Sequence, residues 1–184
     1  MLVSKHGASH SIDDVVVGLI QRAIRVIKKK FPSTVIVSGG PNFPLDSREQ
    51  AEFLAHWPAI DFYIEKEGEV AFLRLVQRLK QNHWSLERDY SDIPNVTYVD
   101  QKGHFIQPQK IERTMNVAQL PSAYLNGMMD EFMDGRLVPV IQTNRGCPFS
   151  CTFCSEGQDF WSKVRPKAMS LVRDELFYIA EKVA

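Results

Sequence analysis

The chain places all of its cysteines in one short loop. Cys147, Cys151 and Cys154 are the only three cysteines among 184 residues, and all lie in the stretch NRGCPFSCTFCSEG at 144–157. Their spacing is C-x3-C-x2-C, so the loop itself limits how far apart the three thiol groups can lie. Three thiolates on so short a loop can converge on one metal centre. We predict a strand directly before this loop and a helix after it.

The composition of the chain excludes several classes of protein. The formal net charge is zero, so neither nucleic acid nor an anionic membrane is an expected partner. No apolar run approaches the length of a membrane span. The N-terminus lacks the apolar core and the cleavage site of a secretory signal. We therefore expect a cytoplasmic protein. Cytosolic thiols stay reduced, so an odd number of cysteines indicates metal ligation or nucleophilic chemistry rather than disulfides.

Residues 1–91 alternate between helical and strand patterns. A helical face runs from Ile12 to Ile27 after a capping pair at Ser11 and Asp14. Strands are predicted at 34–38 and 61–64, with a helix at 47–56 between them. The predicted capping pair of that helix is Ser47 and Gln50, and the apolar stripe of the next helix is Val70, Leu73, Val76 and Leu79. This order predicts an α/β domain over 1–91.

The rest of the chain has a different pattern. Residues 92–136 are interpreted as a β-hairpin, with its turn at 100–103, followed by a connection between domains. Residues 137–184 contain a predicted strand at 137–143, the cysteine loop and a helix. The apolar stripe predicted for that helix is Val172, Leu176, Ile179, Ala180 and Val183.

Several kinds of site could explain the cysteine loop. A structural zinc site needs a fourth ligand, and all five histidines of the chain precede the loop. A ferredoxin-type centre needs four cysteines for each cluster. A cysteine nucleophile gains nothing from two neighbouring thiols, and three packed cysteines are not expected in a loop. The remaining interpretation is a 4Fe-4S cluster held by three cysteines, which leaves one iron open to bind a further molecule.

The stretch RGCPFSCTFC resembles the signature of the radical S-adenosylmethionine (SAM) superfamily. The resemblance implies that Cys147, Cys151 and Cys154 ligate a 4Fe-4S cluster whose open iron binds SAM, and that Phe153 lies against the adenine. In that family one electron from the cluster cleaves SAM to methionine and a 5'-deoxyadenosyl radical. It also implies an electron donor such as flavodoxin or ferredoxin.

Two earlier stretches resemble the cobalamin-binding-like domain that precedes the barrel in one subgroup of this family. Gly39 and Gly40 match a strand that ends in Gly-Gly-Pro, which implies that they approach the nucleotide tail of cobalamin. The stretch 66–69 matches a Gly-Glu-Gly-Glu turn, with Lys66 in place of the first glycine. The segment around His6 lacks the Asp-x-His-x-x-Gly motif of enzymes whose histidine binds cobalt.

The fold class expected is a partial doubly wound, cobalamin-binding-like domain followed by the first β-loop-α unit of a radical SAM partial barrel. Complete domains of either type need more strands than the sequence supplies, so we expect a fragment of the family's architecture. The expected reaction is methylation, cyclisation or rearrangement of a small molecule that the sequence does not identify. Two alternatives stay open: a non-catalytic cluster-binding fragment that needs a partner chain to complete the barrel, and a zinc-binding structural module.

Overall fold

A computed structural model of the chain describes residues 12–40, 43–114, 116–154 and 157–183, with side chains from residue 18 onward. The predicted capping residue Ser11 and the segment around His6 lie outside the described residues. The chain divides into two compact units after Glu112, and each unit is described by itself. The predicted boundaries at 91 and 136 stay predictions.

In its described residues, the first unit contains one mixed sheet and three helices. Its helices are α1 (Ile12–Lys30), α2 (Ser47–His56) and α3 (Glu69–Gln81), and its strands are β1 (Val37–Gly39), β2 (Phe62–Ile64), β3 (Val96–Val99) and β4 (Phe105–Ile106). The strand order is β1-β2-β3-β4. β1 and β2 are parallel, whereas the β2–β3 and β3–β4 pairs are antiparallel. The expected α/β character is confirmed, and the predicted hairpin forms β3 and β4.

The core of this unit lies between β2, β3 and α3. All three residues of β2 are buried, as expected for a strand covered on both faces. Leu75 and Tyr90 are fully buried, and the ring of Tyr90 packs edge-on against Phe62 with 5.0 Å between centroids. Because β1 and β2 are parallel, their carboxyl ends lie at one edge of the sheet.

The apolar stripe predicted for α3 is partly wrong. The buried residues of α3 are Ala71, Leu75 and Leu79, whereas Leu73 is exposed. The buried residues of α3 follow a four-residue spacing through Leu75, so the face of the helix that packs against the sheet differs from the predicted stripe.

The predicted capping pair of α2 is also wrong. Asp46 is the N-cap, and its carboxylate accepts hydrogen bonds from the backbone N–H groups of Arg48 and Glu49. Gln50 is buried and its side chain donates to Pro44 O and to Glu65 instead. A carboxylate one residue earlier outcompetes the serine because it accepts two charge-assisted bonds.

Over the part that the structure describes, the second unit contains one α-helix and one short β-ladder. Helix α4 spans Met169–Val183, and β5 (Asn144–Arg145) pairs antiparallel with β6 (Arg165–Pro166). Three single 3-10 turns lie at Val117–Gln119, Asp130–Phe132 and Asp159–Trp161. Of the predicted α4 stripe, Val172 is buried and Leu176 is exposed. The half-buried Lys167 forms an ion pair at 2.8 Å with the buried Glu175, so an ionic contact helps to hold α4.

The strand predicted at 137–143 does not form, so a β-loop-α barrel unit is not confirmed. Val138 and Val140 are 87% and 78% exposed, and the nearest strand is the two-residue β5. The Tyr124 hydroxyl donates to Val140 O at 2.8 Å and accepts from Val140 N at 3.1 Å. The backbone N–H and C=O groups of a parallel strand need hydrogen-bond partners on neighbouring strands. In the described residues, the Tyr124 hydroxyl is the partner of both backbone groups of Val140 instead.

No helix in the described part of the chain is long and apolar enough to cross a membrane.

Candidate functional site

The cysteine loop is closed at its base by backbone pairing. Arg145 in β5 lies opposite Arg165 in β6, so the two ends of the loop are joined just before Gly146. The Arg165 side chain is buried and donates to the backbone oxygen of Thr114. The base of the loop is therefore anchored although most of the loop is exposed.

Gly146 allows the chain to approach its own loop closely. Its φ of +94° lies in the region that favours glycine. A Cβ there would lie 2.5 Å from the Lys163 oxygen, 2.6 Å from the Trp161 oxygen and 2.7 Å from Arg113 Nη2. The next residue, Cys147, donates its backbone N–H to the Trp161 oxygen at 2.9 Å. The first thiol of the loop is thus placed by backbone contacts to the 3-10 turn.

The other two cysteines lie in a turn of their own. Cys154 N donates to Cys151 O at 3.1 Å, and Gly157 N donates to Cys154 O at 3.0 Å. A Cβ on Gly157 would collide with the backbone oxygen of Cys151. Glycine is therefore required at this position for the loop to fold back on itself.

All three thiols are free, and their exposure differs. Cys147 is half-buried, whereas Cys151 and Cys154 are exposed. Among the described residues, no three His, Cys, Asp or Glu side chains converge closely enough to hold a metal ion. Loading a metal centre would therefore require the three thiols to draw together. The donor set itself fits an iron-sulfur cluster, because soft thiolates are the ligands that such clusters take.

Two aromatic rings of the loop lie exposed beside the cysteines. Phe153 is 92% exposed and Phe149 is 69% exposed. Exposed apolar rings are available to stack on a planar ligand. The placement of Phe153 against an adenine stays a prediction.

The first unit brings the two predicted glycines to the carboxyl edge of its sheet. Gly39 ends β1 beside Ile64, where a Cβ would lie 3.2 Å from the Ile64 oxygen. Gly40 has a φ of +128°, and a Cβ there would have no neighbour within 4 Å. The absence of a side chain at Gly39 therefore allows β1 and β2 to pair closely. At Gly40 the backbone has free space on the side where a Cβ would lie. Ligands of open α/β sheets bind at this edge.

Stacked aromatic rings hold the Gly39–Gly40 turn. The Tyr63 hydroxyl donates to Gly40 O at 3.2 Å, and the Phe43 ring stacks on Tyr63 with 3.9 Å between centroids. Burial, together with the charge of Glu65, raises the pKa of Tyr63 to about 12. The phenol therefore stays protonated and able to donate this bond at a higher pH than an ordinary tyrosine would.

A buried polar network at the same edge was not predicted from the sequence. The Glu65 carboxylate accepts from Gln50 at 3.1 Å and from the hydroxyl of Thr97. Gln107 in turn donates to the Gln50 side chain at 3.1 Å. These residues are far apart in the chain, so the only available sequence signal is a carboxylate directly after a buried strand. Buried polar groups require such partners, and the network fixes the end of β2.

Lys66 follows this network in a left-handed backbone conformation. Its φ is +61°, and it occupies the position where the Gly-Glu-Gly-Glu turn has its first glycine. Burial lowers the pKa of the Lys66 amine, and the charge of Glu65 partly opposes that change. The geometry thus explains why a glycine suits this position.

Comparison with known proteins finds longer proteins in which one segment is similar to this chain. The chain is 31% identical over 166 residues to 2-(S-pantetheinyl)-carbapenam-3-carboxylate methyltransferase of Streptantibioticus cattleyicolor, a match that covers 87% of this chain and 23% of that protein. It is 30% identical over 165 residues to the cobalamin-dependent radical SAM methyltransferase TokK of Streptomyces tokunonensis, covering 86% and 23%. No protein-family model matches the chain. The chain spans about a quarter of the length of these curated relatives.

Solved structures show the same fold. The cobalamin-dependent SAM radical enzyme OxsB in its apo form superposes with a TM-score of 0.64 at 21% identity, covering 91% of this chain and 22% of that one. The radical SAM methyltransferase TsrM from Kitasatospora setae gives a TM-score of 0.62 at 19% identity, covering 90% and 31%. At this level of identity the likeness concerns the fold alone.

The three-cysteine loop, the α/β unit before it and these relatives together define a class. The chain belongs to the radical SAM superfamily. Within that superfamily, its homologues are cobalamin-dependent radical SAM methyltransferases, of which the chain corresponds to a part.

Proposed function

We propose that this chain is the cluster-bearing segment of a cobalamin-dependent radical SAM methyltransferase. Cys147, Cys151 and Cys154 hold a 4Fe-4S cluster with one iron left open for SAM. The observation that carries the proposal is three free thiols, two of them exposed, on a loop whose base is fixed by the β5–β6 pair. An anchored base with exposed thiols allows the ligands to close around a cluster without unfolding the unit.

Each feature of the loop has a role in this proposal. The cluster, when bound, supplies one electron that cleaves SAM to methionine and a 5'-deoxyadenosyl radical. Gly146 gives Cys147 its close approach to the 3-10 turn, and Gly157 lets the turn of Cys151 and Cys154 close. The exposed ring of Phe153 would pack against the adenine of SAM.

In the first unit we propose that the Gly39–Gly40 edge receives cobalamin. The open backbone at Gly40 and its bond to Tyr63 support this proposal. Titration with cobalamin should change the corrin absorption spectrum. Gly40→Val should weaken that change, whereas Gly103→Ala, also at positive φ but in the hairpin turn, should not. No spectral change with the parent chain would reject cobalamin binding.

Cleavage of SAM tests the catalytic part of the proposal. The chain is reconstituted anaerobically with iron and sulfide, reduced with dithionite and assayed for 5'-deoxyadenosine. The parent chain should form this product, and Cys154→Ala should form none. If a fully loaded parent chain forms none, the catalytic function is rejected for the chain alone.

The second candidate function is a non-catalytic cluster-binding segment that acts with a partner chain. It is favoured by the extended apolar segment at Val138 and Val140, whose exposed side chains suit burial under additional strands. A loaded chain that forms no 5'-deoxyadenosine alone, but does so with a partner that supplies the remaining barrel strands, would support it. Zinc without iron in the reconstituted chain would instead support a zinc-binding structural module.

We further propose a cytoplasmic location and a flavodoxin or ferredoxin as electron donor. Three free cysteines suit a reducing compartment, and a low-potential donor suits the reduction of such a cluster.

A further inference from the structure

The side chain of Arg113 binds the segment that places the first cysteine. Its Nη2 donates to the Lys163 oxygen at 2.5 Å and to the Trp161 oxygen at 3.4 Å. Its guanidinium also lies over the Phe160 ring, 5.5 Å from the centroid. One planar cation therefore contacts three of the four residues from 160 to 163.

The same segment contacts the cysteine loop through a shared acceptor. The Trp161 oxygen accepts from Arg113 and also from the backbone N–H of Cys147 at 2.9 Å. Gly146 removes the Cβ that would otherwise collide with this oxygen and with the guanidinium. Arg113 and the Cys147 backbone are thus joined through one carbonyl.

We propose that Arg113 is a positioning residue for Cys147, which it places for metal ligation by fixing the turn that carries the Trp161 carbonyl. This inference rests on the proposed cluster function, and Arg113 acts on Cys147 through the turn. Hydrogen bonds from a charged donor hold such a turn more strongly than neutral ones do. Because the Cys147 backbone is held in this way, the other two thiols can draw together around a cluster while this part of the loop stays in place.

The first test measures amide hydrogen exchange in the metal-free chain, so it does not depend on cluster binding. Arg113→Ala should speed exchange of the Cys147 amide about tenfold, because one charge-assisted hydrogen bond holding the turn is lost. The Lys167 amide, bonded to Thr143 O at 2.8 Å in the same unit, should exchange at its parent rate and report that the unit is folded. Arg173→Ala removes an exposed arginine of α4 and should leave both rates unchanged.

A second variant covers the case in which Arg113→Ala unfolds the unit. Arg113→Lys keeps the positive charge but loses the planar guanidinium group with its several N–H donors. It should therefore restore only part of the protection of the Cys147 amide against hydrogen exchange. Equal exchange of Cys147 in the parent, Arg113→Ala and Arg113→Lys chains would overturn the inference.

The second test measures loss of iron from the reconstituted chain to a chelator. Arg113→Ala should lose iron about tenfold faster than the parent, and Arg173→Ala at the parent rate. Equal rates for Arg113→Ala and the parent would overturn the role in metal ligation. If the parent chain takes up no iron, the proposed function fails, and the exchange data still decide whether Arg113 positions Cys147.

Discussion

Substitution of Lys66 tests the backbone geometry at the carboxyl edge of the sheet. Lys66 has a φ of +61°, a conformation that costs a residue with a Cβ about 1–2 kcal/mol and costs glycine little. The matched comparison is Lys66→Gly against Lys66→Ala, since both remove the contacts of the long side chain. The difference between their free energies of unfolding therefore reports the backbone strain at this position.

The expected difference combines two opposing effects. Glycine relieves about 1–2 kcal/mol of strain but loses about 0.5–1 kcal/mol through its more flexible unfolded chain. Lys66→Gly should therefore be more stable than Lys66→Ala by about 0.5–1 kcal/mol. At Gln77, an exposed position inside α3, the order should reverse, with alanine more stable than glycine by about 1 kcal/mol.

Urea unfolding provides the assay. The fluorescence of Trp57 and Trp84 in a Trp161→Phe background reports on the first unit alone. An alanine variant at Lys66 as stable as the glycine variant, or more so, would refute the argument that this position carries backbone strain.

Four further substitutions test individual contacts in the two units. Leu75→Ala should lower the free energy of unfolding by about 2–5 kcal/mol in urea titrations, because Leu75 is fully buried. The neutral phenol of Tyr63, with its pKa raised to about 12, contributes stability that is complete below the unfolded pKa of about 10 and is lost as pH rises towards 12. Tyr63→Phe should therefore flatten the fall in stability between those values. Tyr124→Phe should speed exchange of the Val140 amide about tenfold, because it removes the hydroxyl bonded there. Gly146→Ala should reduce iron uptake, measured by ferrozine after reconstitution, because the new Cβ collides with two backbone oxygens.

Local patterns in the sequence predicted much of the first unit. The bounds of α2 and the presence of β2 follow from apolar runs and chain breaks, which act over a few positions, although the capping residues predicted for α2 were wrong. The hairpin follows from its turn, where Gly103 has a φ of +83°. Which face of α3 is buried depends on its packing against β2 and β3, so the predicted stripe through Leu73 was partly wrong.

The second unit was less predictable because its contacts are not periodic. The run at 137–143 has strand composition, but strand formation requires a neighbouring strand, and Tyr124 binds Val140 instead. The cysteines were found from their spacing alone. The contacts of Arg113 and the network of Glu65 join residues far apart in the chain, so no local pattern indicates them.

Metal analysis after anaerobic reconstitution tests the central claim most directly. The parent chain should hold about four iron and four sulfide ions with a broad brown absorption, as expected for a cluster on three thiolates. Separate alanine variants of Cys147, Cys151 and Cys154 should each lose most of that iron, whereas Gly103→Ala, in the hairpin turn of the first unit, should retain it. A parent chain that binds zinc without iron, or three cysteine variants that keep the full iron content, would contradict the claim that this loop holds an iron-sulfur cluster.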